Sequence, residues 1–134
     1  MNKIHQISAE HLTIEQIGEI IKNGTKLELS EDARQRIIRC REYLDNKIKE
    51  SETPIYGVTT GFGSLCKISI DKDSLSQLQK NLVMSHACGV GDRVPNEIVK
   101  IMLLLKIQSL SYGYSACQLK TVERLIDFFN NDIY

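Results

Sequence analysis

The chain has 134 residues, of which 42% are hydrophobic, so it can bury one sizeable core and is predicted to form a single domain over residues 1–134. Seventeen basic residues balance seventeen acidic ones, which excludes a global field that would attract nucleic acid or an anionic membrane surface. The densest apolar run, Ile101 to Leu105, is far too short to span a bilayer, and the N-terminus lacks the apolar segment of a signal peptide. These features predict a cytoplasmic protein without nucleic-acid or membrane partners.

The spacing of cysteine and histidine predicts no metal site. Four cysteines are present without any C-x-x-C pair, at Cys40, Cys66, Cys88 and Cys117. Such spacing favours reduced, mostly buried thiols over a disulfide or zinc framework, because a free cysteine behaves as a small hydrophobe. His5 and His11 are too isolated to suggest a metal centre.

Hydrophobic periodicity predicts two helices in the first part of the chain. Thr13 followed by Gln16 forms a capping box, and isoleucines at helical spacing follow it until the turn signal Asn23-Gly24. The next segment, TKLEL, alternates briefly and fits either a short strand or extended chain. Ser30 then opens a second amphipathic helix, which is predicted to end near residue 50.

Three further helices are predicted in the second part of the chain. The third follows a polar cap, and its apolar face continues to His86. Pro95 suits the first turn of the fourth helix, which is apolar around most of its circumference, is therefore predicted to be central, and is closed by Gly113. Apolar residues at helical spacing between 119 and 129 define the fifth. The predicted fold class is therefore all-α, with about five helices.

One stretch, TPIYGVTTGFGSL at residues 53–65, breaks this helical pattern. It lies in a glycine-rich loop over residues 51–72, and loops of that length in compact domains are often functional. Gly57, Gly61 and Gly63 permit positive φ angles and close approach of the backbone to a ligand. No Lys-Ser or Lys-Thr follows the last glycine, so the loop does not match a phosphate-binding Walker loop. The loop is the first candidate for a functional site.

Two side chains near this loop have both a functional and a structural interpretation. Tyr56 stands at the entrance of the loop, and a phenol acts as a general base only where positive charge or hydrogen-bond donors lower its pKa. The alternative is a tyrosine ring packed beneath the loop. His86 is either a ligand-binding residue or a core histidine with its hydrogen bonds satisfied. The residue types alone leave these alternatives open.

Three blocks of the sequence are long and unusual in their spacing. They are YGVTTGFGSL, LQKNLVMSHACGVGD and MLLLKIQSLSYGYSACQLKTVERLIDFFN, in this order. From about Leu12 to its end the chain resembles the aromatic amino acid ammonia-lyases, the family of histidine, phenylalanine and tyrosine ammonia-lyases and the related aminomutases. The resemblance implies a mainly helical, cytoplasmic homotetramer that eliminates ammonia from a small aromatic amino acid. It also implies the electrophilic cofactor 4-methylideneimidazole-5-one (MIO), which family members form from an internal Ala-Ser-Gly.

No Ala-Ser-Gly occurs among the 134 residues. In the family this tripeptide lies shortly after the helix that in this chain ends in FFNNDIY, so the chain is expected to be an N-terminal fragment. It is then expected to contain no cofactor-binding residue of its own and to be catalytically inert alone. A helical association module is the alternative for the isolated chain, because helices without their partners leave apolar faces exposed.

The resemblance assigns roles to two residues of the loop. Tyr56 matches the tyrosine that removes the β-proton of the substrate, a step for which base, electrophile and substrate must be held together. Gly63 matches the loop glycine that lies against the substrate. Residues 51–72 then form a mobile lid that excludes water during the elimination.

The resemblance also indicates the substrate. Ser85-His86 occupies the two positions that differ among the enzymes of the family, and Ser-His is the pair typical of histidine lyases. Histidine is therefore the expected substrate and urocanate the product, because one imidazole can exchange a hydrogen bond with another. Thr59 instead matches the phenylalanine and tyrosine enzymes, which leaves those lyases and the aminomutases as alternatives.

Overall fold

The computed structural model describes residues 3–50, 53–65 and 68–133. Its strands and helices in chain order are β1 (Ile4–Ile7), α1 (Ile14–Lys22), β2 (Lys26–Leu29), α2 (Glu31–Glu50), α3 (Leu75–His86), α4 (Asn96–Ser111) and α5 (Leu119–Asn130). Two short 3-10 helices, Gly63–Leu65 and Lys72–Ser74, precede α3. The five predicted helices are therefore confirmed within the described ranges, and a two-stranded sheet accompanies them.

The chain divides into two compact units, one formed by Met1–Leu44 with Arg93–Tyr134 and the other by Asp45–Asp92. The first unit contains a hydrophobic core, whose most deeply buried residues are Ile7, Ala33, Ile37, Leu104, Ile107, Val122 and Phe129. In the second unit every side chain of α3 is at least partly exposed. None of the helices in the described ranges is long and apolar enough to cross a membrane.

The small sheet of the first unit is parallel, with Ile7 of β1 opposite Leu29 of β2. Helix α1 connects the two strands, as a parallel pair requires a crossover segment. The predicted capping box opens this helix: Thr13 Oγ1 accepts from the Gln16 amide at 3.2 Å, and Gln16 Oε1 accepts from the Thr13 amide at 2.9 Å. The segment TKLEL, predicted to be either a short strand or extended chain, contains strand β2.

Asn130, the last residue of α5, binds the free edge of β2. Its Oδ1 accepts a hydrogen bond from the Leu27 amide at 2.8 Å, and its Nδ2 donates to the Leu27 carbonyl at 2.9 Å. A single side-chain amide thus satisfies both backbone groups of one strand residue, as a neighbouring strand would do. This pair of bonds joins the N-terminal and C-terminal segments of the first unit.

Helix α4 packs against α1, α5 and β1 and buries Leu104 and Ile107 completely. Its other side exposes apolar residues, among them Met102 and Leu105. An open groove of about 580 Å³ lies along this side. Helix α4 is therefore buried on one face and exposed on the other, so the predicted central position holds for one face only within its unit.

The described cysteines are less buried than predicted. Cys88 is exposed, which makes the prediction of mostly buried thiols wrong at that position, and Cys40 and Cys117 are half-buried free thiols. Burial raises the pKa of the Cys117 thiol, which therefore stays protonated at neutral pH. Cys66 lies outside the described residues.

Gly113 lies against α2 and adopts a φ of +76°. A Cβ atom at this position would be 2.8 Å from the Arg36 Cβ and 2.9 Å from the Arg36 carbonyl oxygen. We expect Gly113→Ala to lower the free energy of unfolding by roughly 2–4 kcal/mol, since it adds a clash with backbone to left-handed strain.

The control is Gly24→Ala, because Gly24 also has a positive φ of +59° but no atom lies within 4 Å of its Cβ position. Backbone strain alone should lower the free energy of unfolding of Gly24→Ala by about 1–2 kcal/mol. Urea unfolding followed by circular dichroism measures both variants. Equal losses of stability in the two variants would show that the clash with Arg36 does not contribute.

Candidate active site

The loop of the second unit is held together by its own threonines. Thr59 Oγ1 accepts from the Ile55 amide at 2.8 Å, and the Thr59 amide donates to the Ile55 carbonyl at 2.9 Å. Thr60, which is 1% exposed, accepts from the Gly57 amide at 3.1 Å and donates its hydroxyl proton to the Gly61 carbonyl at 3.0 Å. Both hydroxyls therefore stabilise the turn, and the loop has a defined conformation around them.

Phe62 orders the aromatic side of the loop. Its ring meets the Tyr56 ring edge to face, with centroids 5.8 Å apart and an interplanar angle of 71°, a favourable arrangement for two aromatic quadrupoles. Gly57 makes this approach sterically feasible: its φ is +69°, and a Cβ there would lie 2.9 Å from the Phe62 Cε1 atom. Tyr56 nevertheless remains 63% exposed, so its ring packs against Phe62 of the loop without being buried beneath it.

The end of α3 carries the second pair of predicted residues. The Ser85 hydroxyl donates to the Leu82 carbonyl at 2.8 Å. The Nδ1 atom of His86 lies 3.0 Å from Ser85 Oγ and 3.0 Å from the Leu82 carbonyl oxygen. His86 is exposed and is therefore not a core residue. Its other ring nitrogen, Nε2, is left for contact with a ligand or solvent.

The loop and the end of α3 meet at one open cavity of about 450 Å³, lined by Phe62, Leu82, Val83 and His86. This volume is in the range of small-molecule sites, which are mostly apolar with a few polar groups that set orientation, ~300–1,000 Å³. Among these lining residues His86 alone is polar. The cavity thus combines an apolar wall with one imidazole.

Of the four predicted site residues, one lines this cavity and the other three lie next to residues that line it. His86 lines it, and Ser85 contacts His86 through the hydrogen bond described above. Tyr56 reaches the same wall through its ring contact with Phe62. Gly63 follows Phe62 with a φ of +55° and no atom within 4 Å of its Cβ position, which leaves open space beside its backbone.

Phe62 is the residue of this site that sequence reasoning does not identify. The sequence pattern that could have identified it is GFG, in which a large aromatic residue stands between two glycines, which have no side chain. Glycines on both sides let a ring lie close to the backbone, so the pattern indicates a contact residue rather than a turn alone. Of the described residues, no group of three or more histidine, cysteine or acidic side chains could hold a metal ion.

A family model described as aromatic amino acid lyase matches residues 12–134, and the chain belongs to this family. It is 46% identical over 121 residues to the histidine ammonia-lyase of Deinococcus radiodurans, an alignment that covers 90% of this chain and 23% of that protein. Other curated histidine ammonia-lyases match at similar coverage, so the chain spans about a quarter of the length of the relatives it matches.

Solved structures of similar fold include enzymes with different substrates. The ergothioneine-degrading ergothionase of Treponema denticola superposes with a TM-score of 0.89 at 26% identity, covering 96% of this chain and 26% of that one. The phenylalanine aminomutase of Pantoea agglomerans superposes with a TM-score of 0.87 at 27% identity, covering 98% and 25%. The prediction of family and fold is therefore confirmed.

Proposed function

We propose that this chain supplies the base-bearing loop and the ring-binding cavity of an ammonia-lyase that converts L-histidine to urocanate and ammonium. The observation that carries the proposal is the cavity between Phe62 and His86, in which His86, hydrogen-bonded to Ser85, forms the polar end of an otherwise apolar wall. Its chemistry suits a flat aromatic ring with a polar nitrogen. The identity to histidine ammonia-lyases supports the same substrate.

The reaction removes one proton from the β-carbon and breaks the bond between the α-carbon and the amine nitrogen. The electron pair of the broken C–H bond forms the new double bond, and the nitrogen leaves with the electron pair of the broken C–N bond. We assign Tyr56 as the group that removes the β-proton with its phenol oxygen, because its exposed side chain can reach a substrate bound beside Phe62. The ring contact with Phe62 limits the rotation of the phenol and so helps to orient its oxygen.

MIO, when present in a family member, supplies an electrophile that makes this elimination feasible. Residues 1–134 include no Ala-Ser-Gly, so they do not fit the formation of that group and no cofactor-binding residue is assigned in this chain. The chain's own side chains act in two ways: Tyr56 removes the proton, and Phe62 and His86 bind the substrate ring.

The loop over residues 51–72 is assigned as a lid over the substrate, with the open space beside Gly63 as the place where the backbone approaches it. Residues 51, 52, 66 and 67 of this loop lie outside the described ranges. We further propose a cytoplasmic homotetramer as the assembled enzyme, with a small aromatic amino acid as its ligand and no nucleic-acid or membrane partner.

Two alternatives have specific support. Thr59 and the structural likeness to an aminomutase favour a phenylalanine or tyrosine lyase or an aminomutase. The exposed apolar side of α4 favours a helical association module for the isolated 134-residue chain.

The test is an assay of the complete product of the gene that encodes these residues, with L-histidine, L-phenylalanine and L-tyrosine as separate substrates. We expect urocanate, followed by its ultraviolet absorbance, to form from histidine in preference to the other two products. The 134-residue chain assayed in parallel should form none, because it contains no Ala-Ser-Gly. Preferred turnover of phenylalanine or tyrosine, or a β-amino acid as product, would replace the proposed substrate or reaction by the alternatives.

A further inference from the structure

The hydrogen bonds around His86 restrict where its ring proton can lie. The Leu82 carbonyl oxygen can only accept a hydrogen bond, and it lies 3.0 Å from Nδ1 of His86. A hydrogen bond at this distance requires a proton on Nδ1, since a bare nitrogen would place two lone pairs against each other. The carbonyl therefore selects the Nδ1–H form of the ring.

The Ser85 hydroxyl group, which can both donate and accept, completes a hydrogen-bond network with this form of the ring. Its proton points to the Leu82 carbonyl, at 2.8 Å, so its oxygen turns a lone pair toward its neighbours. That oxygen lies 3.0 Å from Nδ1 of His86 and accepts from the same N–H. A bare Nδ1 could instead accept a hydrogen bond from the Ser85 hydroxyl, but the Leu82 carbonyl oxygen would then lie 3.0 Å from a nitrogen without a proton. The Nδ1–H form of His86 alone satisfies both contacts of this nitrogen.

We propose that Ser85 is a positioning residue that holds neutral His86 in the Nδ1–H form, so that Nε2 presents a hydrogen-bond acceptor to the substrate. This inference rests on the proposed function. It narrows the substrate class to rings that carry a donor, such as the N–H of an imidazole or the O–H of a phenol. A phenyl ring offers no donor and would leave Nε2 without its bond.

The protonation site can be measured without activity. The chain contains three histidines, so nitrogen NMR of the uniformly labelled 134-residue protein gives few signals, and His86→Gln assigns those of His86. In the neutral form of the ring, we expect a protonated-type shift at Nδ1 and an unprotonated-type shift at Nε2. A protonated Nε2 in the native protein would overturn the inference.

Ser85→Ala removes one of the two acceptors and should lower the ratio of the Nδ1–H to the Nε2–H form by about fivefold, the effect of one ordinary hydrogen bond. Ser85→Thr keeps the hydroxyl and should keep the native ratio. Ser76→Ala, at an exposed serine of the same helix, is the matched control. An unchanged ratio in Ser85→Ala would show that Ser85 does not position the ring.

Kinetics of the complete gene product give the second readout. In Ser85→Ala the preference for histidine over phenylalanine, as a ratio of kcat/KM values, should fall by about fivefold, and Ser85→Thr should restore it. If Tyr56→Phe leaves histidine turnover intact, the proposed function fails. If Tyr56→Phe abolishes turnover while Ser85→Ala keeps both the native selectivity and the native proton position, only the role of Ser85 fails.

Discussion

Tyr56→Phe is expected to lower kcat for histidine by ~10²–10⁴-fold in the complete gene product, which is the usual contribution of a general base. The substitution removes only the phenolic oxygen. The ring that meets Phe62 edge to face remains, and because the Tyr56 side chain is largely exposed, little stability should be lost. Steady-state urocanate formation measures the effect, and urea unfolding of the same preparation shows that the fold is kept.

The control for this substitution is Tyr114→Phe, because Tyr114 is 90% exposed and lies outside the unit that holds the site. It should turn over histidine at the native rate. A Tyr56→Phe enzyme that retained more than about a tenth of the native kcat would contradict the assignment of the base, since general-base catalysis contributes ~10²-fold or more.

His86→Leu is expected to lower kcat/KM for histidine by roughly 10- to 100-fold and to raise it for phenylalanine. The substitution leaves the described cavity lined by apolar side chains alone, so the substrate imidazole would lose its water without gaining a partner, at a cost of ~1–3 kcal/mol. A phenyl ring incurs no such cost. Competition between the two amino acids in one assay measures the change in preference directly.

Met84→Leu provides the comparison, as an exposed apolar residue of the same helix that is exchanged for one of similar volume. Its preference should remain native. Histidine turnover that survived His86→Leu unchanged would mean that the ring of the substrate does not contact this cavity.

Sequence patterns predicted the helices because periodicity and capping are local properties. The capping box of Thr13 and Gln16 and the glycine after the fourth helix, Gly113, are found where the sequence indicates them. Strand β1 was missed because it has four residues and buries only Ile7 fully, so no alternation could reveal it. Strand β1 forms because it pairs with β2, which follows it in the chain only after α1. A pairing between segments so far apart in the sequence cannot be recognised from local patterns.

For the site as well, the sequence identifies individual residues but not the contacts that they make. Tyr56 and His86 could be singled out by residue type and position, but their environment depends on how the loop approaches α3, and both turn out exposed. The role of Phe62 depends on its ring contact with Tyr56 and on its place in the wall of the cavity, and no spacing rule specifies either. The family resemblance supplied candidate roles, whereas the hydrogen-bond directions around Ser85 required the three-dimensional structure.

The two hydrogen bonds between Asn130 and Leu27 also bear on the order in which the chain folds. They join residues 103 positions apart, and the unit they close is interrupted by the whole of Asp45–Asp92. During synthesis β2 leaves the ribosome long before α5 exists, so its edge stays unsatisfied until residue 130 emerges. Loop closure over such a distance slows folding. The nascent chain therefore exposes an unpaired strand edge, a site prone to non-native pairing, until residue 130 has been synthesised.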